Sequence, residues 1–181
     1  MNKKIKLIVL VLVFALLLGG AYLLYSRYAT EPEAPELEQE EQLPPVADFT
    51  VYDAEGNPVK LSDYFGKPIV LNFWASWCNP CKQEMPAFQK AWETYGDQVQ
   101  FLMVNMTDGY QETKYDADAF IERSGYTFPV FYDTTLDAAM THTVYSIPTT
   151  IFIDKDGGLL LRKGGAMSYD YLEDIIQQLI P

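Results

Sequence analysis

The chain begins with a block of apolar positions that no later segment matches. Leu7 to Leu24 is an uncharged run, preceded by Lys3, Lys4 and Lys6 and closed by Arg27. Eighteen helical residues span about 27 Å, close to the ~30 Å hydrocarbon core of a bilayer. Tyr22, Tyr25 and Tyr28 suit the far interface, and the lysines place the N-terminus in the cytoplasm. Residues 1–28 therefore read as an uncleaved membrane anchor, with the rest of the chain on the extracytoplasmic side. The rival is a cleaved signal peptide. Its best cleavage site, Gly19-Gly20-Ala21, is poor, and no lipoprotein cysteine follows the run.

Residues 29–45 lack apolar periodicity. They carry Glu31, Glu33, Glu36, Glu38, Glu40 and Glu41 with Pro32, Pro35, Pro44 and Pro45, and no base. Self-repulsion and proline stiffness predict an extended spacer.

Periodic patterning resumes in a domain covering 46–181. Phe49–Tyr52 and Val59–Leu61 alternate about Ala54-Glu55-Gly56-Asn57, which predicts a hairpin. A short helical turn at Ser62–Phe65 ends at Gly66. Ile69–Trp74 and Gln100–Asn105 read as buried strands. Between them, Met85, Phe88, Ala91, Trp92 and Tyr95 mark a helix over Cys78–Tyr95, with a kink expected at Pro86. A polar loop then leads to a helix at Asp116–Ser124 and a strand at Pro129–Tyr132. Leu136–Tyr145 is expected to be helical, with Met140 and Val144 on one face and His142 a bystander. Strands at Thr150–Ile153 and Leu159–Arg162 and a helix from N-cap Ser168 to Leu179 complete the chain. The fold class is α/β, a mixed central sheet flanked by helices.

Charge narrows the partners. From Val46 onward there are 19 acids and 9 bases, a net charge of −10. This argues against nucleic acid and against docking on anionic lipid.

The chemistry centres on Cys78 and Cys81, the only two cysteines. They sit where a strand turns into a helix. The helix N-terminus would stabilise a thiolate at Cys78, and a thiolate is the nucleophile of disulfide exchange. Cys81 lies one turn on, placed to resolve a mixed disulfide, and Pro80 suits the first helical turn. A zinc site needs four ligands, and the chain offers two cysteines and His142, so no metal is assigned. A structural disulfide would close a tiny loop and constrain the unfolded chain little. A redox-active dithiol is the favoured reading, with no organic cofactor.

Asn72-Phe73-Trp74-Ala75-Ser76-Trp77-Cys78-Asn79-Pro80-Cys81-Lys82-Gln83-Glu84-Met85-Pro86 resembles the thioredoxin superfamily. More narrowly, it resembles the membrane-anchored ResA/TlpA-type thiol–disulfide oxidoreductases. Their W-C-x-P-C-x-x-E-x-P pattern is matched by Trp77, Cys78, Pro80, Cys81, Glu84 and Pro86. Ser146-Ile147-Pro148-Thr149-Thr150 gives a second match. The resemblance implies a thioredoxin-like fold, with 106–133 as a central insertion. It also implies a cis Ile147–Pro148 bond facing the cysteines, and a partner-binding surface of Trp77, Asn79, Pro80, Ile147 and Pro148. Asn72 stands where thioredoxins carry a buried Asp, so Glu84 is expected to exchange a proton with Cys81, its pKa raised by burial. The implied partners are disulfide-containing exported proteins, such as apocytochrome c or methionine sulfoxide reductase, and an integral-membrane thiol electron donor. The alternatives are a peroxiredoxin-like peroxidase and a non-enzymatic binding module. The first requires P-x-x-x-[TS]-x-x-C, where this chain has Leu71 and Ala75.

Overall fold

The computed structural model describes residues 2–28, 34–37 and 44–180. The chain divides into two units, Met1–Glu33 and Ala34–Pro181. The first contains one helix, α1 (Lys3–Tyr28). Over Lys6–Leu23 its mean hydropathy is 2.5 and none of it is buried. Leu7, Leu10, Leu16 and Leu17 are all more than half exposed, so the helix has no polar face to turn to water.

The second unit runs β1 (Thr50–Tyr52), β2 (Pro58–Lys60), a 3-10 turn (Leu61–Tyr64), β3 (Ile69–Trp74), α2 (Asn79–Tyr95) and β4 (Gln100–Asn105). It continues with α3 (Lys114–Ser124), β5 (Val130–Tyr132), α4 (Asp137–Thr141), β6 (Thr149–Ile153), β7 (Leu159–Gly164) and α5 (Tyr169–Leu179). Among the described residues the strands form one mixed sheet, ordered β2-β1-β5-β4-β3-β6-β7. β3 pairs parallel with β4 and antiparallel with β6.

All six residues of β3 are buried, as befits a strand covered on both faces. Their alternation splits the core in two. Val70 and Trp74 face the layer of α2 and α5, with Met85, Phe88, Leu172 and Ile176. Ile69, Leu71 and Phe73 face the opposite layer, with Phe49, Leu61, Ala138 and Val144. Asn72 falls on the α2 side by the same alternation.

Local signals account for most boundaries. Thr113 caps α3 through the Asp116 amide, so α3 starts two residues before the expected Asp116. Ser168 caps α5 through the Tyr171 amide, as the sequence predicts. α2 continues through Pro86 as a single helix.

Two expectations need correction. The helix expected over Leu136–Tyr145 covers only Asp137–Thr141. Leu136 and Thr143 adopt left-handed φ values of 57° and 54°, which bracket it. Arg162 donates to the carbonyls of His142 and Thr143, holding the chain in this shape. Met140 is 70% exposed whereas Val144 is buried, so they do not share a face.

The segment read as a spacer is also partly attached. Ala34 and Leu37 pack on the core, and the Leu37 amide donates to Gln178 on α5 at 2.7 Å. The Val46 amide bonds to Gly157, and the Leu159 amide to Pro44. These contacts need α5 and the β6–β7 turn, neither of which is local in sequence. Glu31, Glu33, Glu38, Glu40, Glu41 and Pro32 lie outside the described residues.

His142 packs edge-on to Phe49, with ring centroids 5.3 Å apart, consistent with a structural residue. Burial pushes its pKa down, partly opposed by the Ala47 carbonyl and reinforced by the Arg162 charge. Unfolded, it titrates near 6.5. The unfolded chain therefore binds more protons below that value, and this contribution to stability falls as the pH drops. Asp133 acts in the opposite sense, because burial raises its carboxyl pKa despite hydrogen bonds from Ala139 and Ala138. The contribution of His142 is isolated by comparison with His142→Asn. In urea unfolding, wild type should lose more stability than the variant between about pH 7.5 and 5.

Candidate active site

β3 delivers the chain to the C-terminal edge of the sheet, where it turns into α2. Cys78 is the N-cap residue of α2, and its Sγ accepts the Cys81 amide at 3.2 Å. Pro80 stands in the first turn, where no N–H is missed. Cys78 and Cys81 are joined in a disulfide, with Cα atoms 5.3 Å apart. Both cysteines are buried, Cys78 at 3% exposure and Cys81 at 0%. Asn79 and Pro80 are exposed beside Cys78, and Trp77 is 46% exposed.

The loop before β6 closes over the pair. The Ile147–Pro148 bond is cis, and the Ile147 carbonyl lies 3.7 Å from Cys78 Sγ. A stretch 69 residues away in sequence is thus brought against the cysteine.

Beneath the disulfide, Glu84 is 1% exposed on the same α2 face as Cys81. Asn72 Nδ2 donates to Glu84 Oε1 at 2.9 Å and to Thr150 Oγ1 at 3.0 Å. Asn72 and Thr150 are directly paired across β3 and β6, which puts both on the α2 side. The Met167 amide donates to Glu84 Oε2 at 3.2 Å. The carboxyl is therefore held between the sheet and the segment entering α5.

Glu112 escaped the sequence reading. It is 1% exposed and accepts from the Ser76 amide and the Ser76 hydroxyl, each at 2.8 Å. It also accepts from Asn105 Nδ2 at 2.7 Å. One carboxylate thus ties the turn before Cys78 to the end of β4. Its own loop is shaped by Asp108 Oδ1, which accepts the amides of Tyr110, Gln111 and Glu112. The Glu112 and Tyr110 amides hold the Asp108 carboxyl below its usual pKa. The only sequence trace is an Asp-Gly turn followed by a lone Glu; the partner, Ser76, is 36 residues distant.

Residues 44–161 match the model of the AhpC/TSA family. Over its full length the chain is 32% identical to the whole of the thiol-disulfide oxidoreductase ResA of Geobacillus thermodenitrificans (strain NG80-2). The chain belongs to the AhpC/TSA family, among its ResA-like thiol–disulfide oxidoreductases. A second ResA, from Bacillus thuringiensis subsp. konkukian (strain 97-27), is 31% identical over 99% of both chains. The crystal structure of StoA from Bacillus subtilis is 28% identical, with a TM-score of 0.62 over 71% of this chain and 96% of its own. The exposed lipoprotein thioredoxin of Streptococcus pneumoniae strain TIGR4 is 33% identical, with a TM-score of 0.62 over 74% of this chain and 100% of its own.

The ResA-like site is thus built on a disulfide at a helix cap, not on the peroxidase pattern. At the position where that pattern requires a hydroxyl, Ala75 is fully buried and has none to offer.

Glu112→Ala should lower the unfolding free energy by about 2–4 kcal/mol, because it removes the acceptor of the buried Asn105 amide and of the part-buried Ser76 donors. Urea titration followed by circular dichroism measures it, and an unchanged midpoint would contradict the anchoring role.

Proposed function

We propose that this protein reduces disulfides of exported proteins on the extracytoplasmic face of a membrane, with α1 as its anchor. The carrying observation is the Cys78–Cys81 disulfide at the cap of α2, with the Ile147 carbonyl 3.7 Å from Cys78 Sγ. In the dithiol form, a Cys78 thiolate attacks one sulfur of a partner disulfide. A Cys78–partner bond forms, the partner S–S bond breaks, and the departing thiolate takes up a proton. Cys81 then loses its proton and attacks Cys78 Sγ. The second partner thiolate leaves, and the Cys78–Cys81 disulfide forms. Two electrons pass from the dithiol to the partner disulfide, leaving the oxidised state seen here. A membrane thiol donor regenerates the dithiol by the same exchange run against Cys78–Cys81.

Supporting this assignment, the helix N-terminus favours a thiolate at the cap, and the effect fades within a turn. Cys78, as a residue, is also slightly more exposed than Cys81. Trp77, Asn79, Pro80, Ile147 and Pro148 frame the approach, and an extended partner segment can pair with the backbone at Ile147. Pro80 before the resolving cysteine suits the reducing direction. Glu84 acts as the proton acceptor for Cys81, directly or through water, in place of the Asp that Asn72 replaces. Apocytochrome c and methionine sulfoxide reductase are candidate substrates on family grounds alone.

Full-length Cys81→Ser protein expressed in the host should accumulate mixed disulfides on Cys78 in the membrane fraction. The trapped partners should be exported proteins with paired cysteines. Recovery of cytoplasmic partners, or no adducts above the Cys78→Ser background, would overturn the reading.

Glu84→Gln should slow insulin reduction severalfold and flatten its dependence on pH over about pH 5–9 while the fold survives. A wild-type rate and pH profile in the folded variant would remove Glu84 from the mechanism.

A further inference from the structure

Beneath the disulfide, the two ends of one amide are treated unequally. Asn72 is fully buried, and its Oδ1 meets no hydrogen-bond donor from the protein. The nitrogen end is fully used. One Nδ2 hydrogen goes to Glu84 Oε1 at 2.9 Å and the other to Thr150 Oγ1 at 3.0 Å. These two bonds fix which end of the amide faces the carboxyl. A buried carbonyl oxygen without a donor is costly, and each one calls for an explanation.

Asn72 belongs to a polar file that crosses the sheet. It is paired with Thr150 on β6, and Thr150 with half-buried Lys163 on the edge strand β7. The neighbouring file on the same face, Val70, Phe152 and Leu161, is apolar. The titratable groups on this side are Glu84 and the cysteines of α2, Lys163 of β7 and Tyr171 of α5. Lys163 Nζ lies 5.3 Å from the Tyr171 ring centroid. The cysteines, joined in a disulfide, hold no proton. Glu84 is already bonded to the amide, and a carboxyl this far from water is least costly as the neutral acid. A carboxylic acid and a primary amide can form two bonds. The amide N–H donates to the acid, and the acid O–H donates to the amide oxygen. The first bond is in place, and the second would supply the donor that Oδ1 lacks.

We propose that the oxidised protein stores the Cys81 proton on Glu84, held there by Asn72 Oδ1, and returns it to Cys81 when the disulfide is reduced. Asn72 is then a positioning residue, and Thr150 sets the orientation of its amide. The proposal rests on the reading of Glu84 as the proton acceptor for Cys81. As the mixed disulfide resolves, the Cys81 S–H bond breaks and its proton passes to the Glu84 carboxylate. The Cys78–Cys81 bond forms, and the partner sulfur leaves Cys78 with the electron pair. The acid so formed donates to Asn72 Oδ1. In regeneration, a thiolate of the membrane donor attacks Cys78 Sγ, and Cys81 departs as a thiolate and takes the proton back. The donor's second thiolate then releases Cys78 and closes the donor disulfide. One of the two thiol protons therefore never leaves the protein, and reduction takes up one proton fewer from solution.

Infrared spectra of the full-length protein in lipid nanodiscs, with isotope-labelled glutamate, read the carboxyl directly. At neutral pH the oxidised protein should show a carboxylic acid band that Glu84→Gln lacks, and reduction should convert it to carboxylate bands. A Glu84 carboxylate in the oxidised protein, or an acid in both redox states, overturns the proposal. In Asn72→Leu the band should move to the higher frequency of an acid without hydrogen bonds. Asn72→Ala repeats the measurement with less crowding of the strand, and a band unmoved in the folded variants removes Asn72 from the role. Equilibration with a thiol–disulfide couple of known potential counts the protons without altering Asn72. Per pH unit, the wild-type equilibrium constant should change about tenfold less than that of Glu84→Gln, which is about 30 mV for a two-electron couple. Equal slopes overturn the proposal. Insulin reduction separates the two readings. If Glu84→Gln slows it while the slopes are equal, Glu84 serves Cys81 but passes the proton to solvent, and only the storage fails. If wild type reduces no insulin, the exchange reading itself fails.

Discussion

The register of β3 is the constraint on which the rest of this molecule depends. Six consecutive buried residues lie between β4 and β6, and their alternation decides which side chains meet which helix layer. A slip of one residue would exchange the two faces. Asn72 would then leave the α2 side and Glu84 would lose its sheet partner. The strand also fixes the point at which the chain leaves the sheet, and hence the position of Cys78 at the cap of α2. Strand register and cysteine chemistry are therefore one problem in this fold.

Buried carboxylates complete the site where apolar packing cannot. Glu84 sits between Asn72 and the Met167 amide, and Glu112 sits between Ser76 and Asn105. Asp133 holds the start of α4 through the Ala138 and Ala139 amides. Burying such groups is costly unless donors surround them; Glu84 and Glu112 draw donors from distant parts of the chain, and Asp133 draws its own from the next helix. The reward is orientation. Segments around the disulfide are held by directional bonds to the sheet and to α4. Glu112 holds the turn before the cysteines, and Arg162 holds the His142 and Thr143 carbonyls at the start of the loop that ends in Ile147 and Pro148.

The two units differ in kind. The first is a helix with a long apolar stretch over Lys6–Leu23, and the second is a folded domain that carries the Cys78–Cys81 disulfide. The acidic segment after the helix was expected to act as a spacer throughout. Its residues 34–37 instead rest on α5, through Leu37 and Gln178. A proline-rich, charged composition disfavours a core of its own, but it does not prevent a short piece from docking on a core formed elsewhere.

The sequence by itself determined the strands, the Ser168 cap and the placing of the Cys78–Cys81 pair at the start of a helix. Strong local signals carry these: an unbroken apolar run in β3, Ser168 before α5, and two cysteines three residues apart after a strand. The family pattern around Trp77 and Glu84 carried the fold class. The region from Leu136 to Tyr145 was misjudged because its apolar spacing mimics a helix, while Arg162, from another strand, draws its carbonyls away from helical bonding. Glu112 was invisible because a lone acid in a polar loop looks solvated until its donors arrive from Ser76 and Asn105. Only the tertiary structure could decide these points. Hydrogen bonds between residues tens of positions apart set the backbone there, and no periodicity along the chain records a bond of that kind.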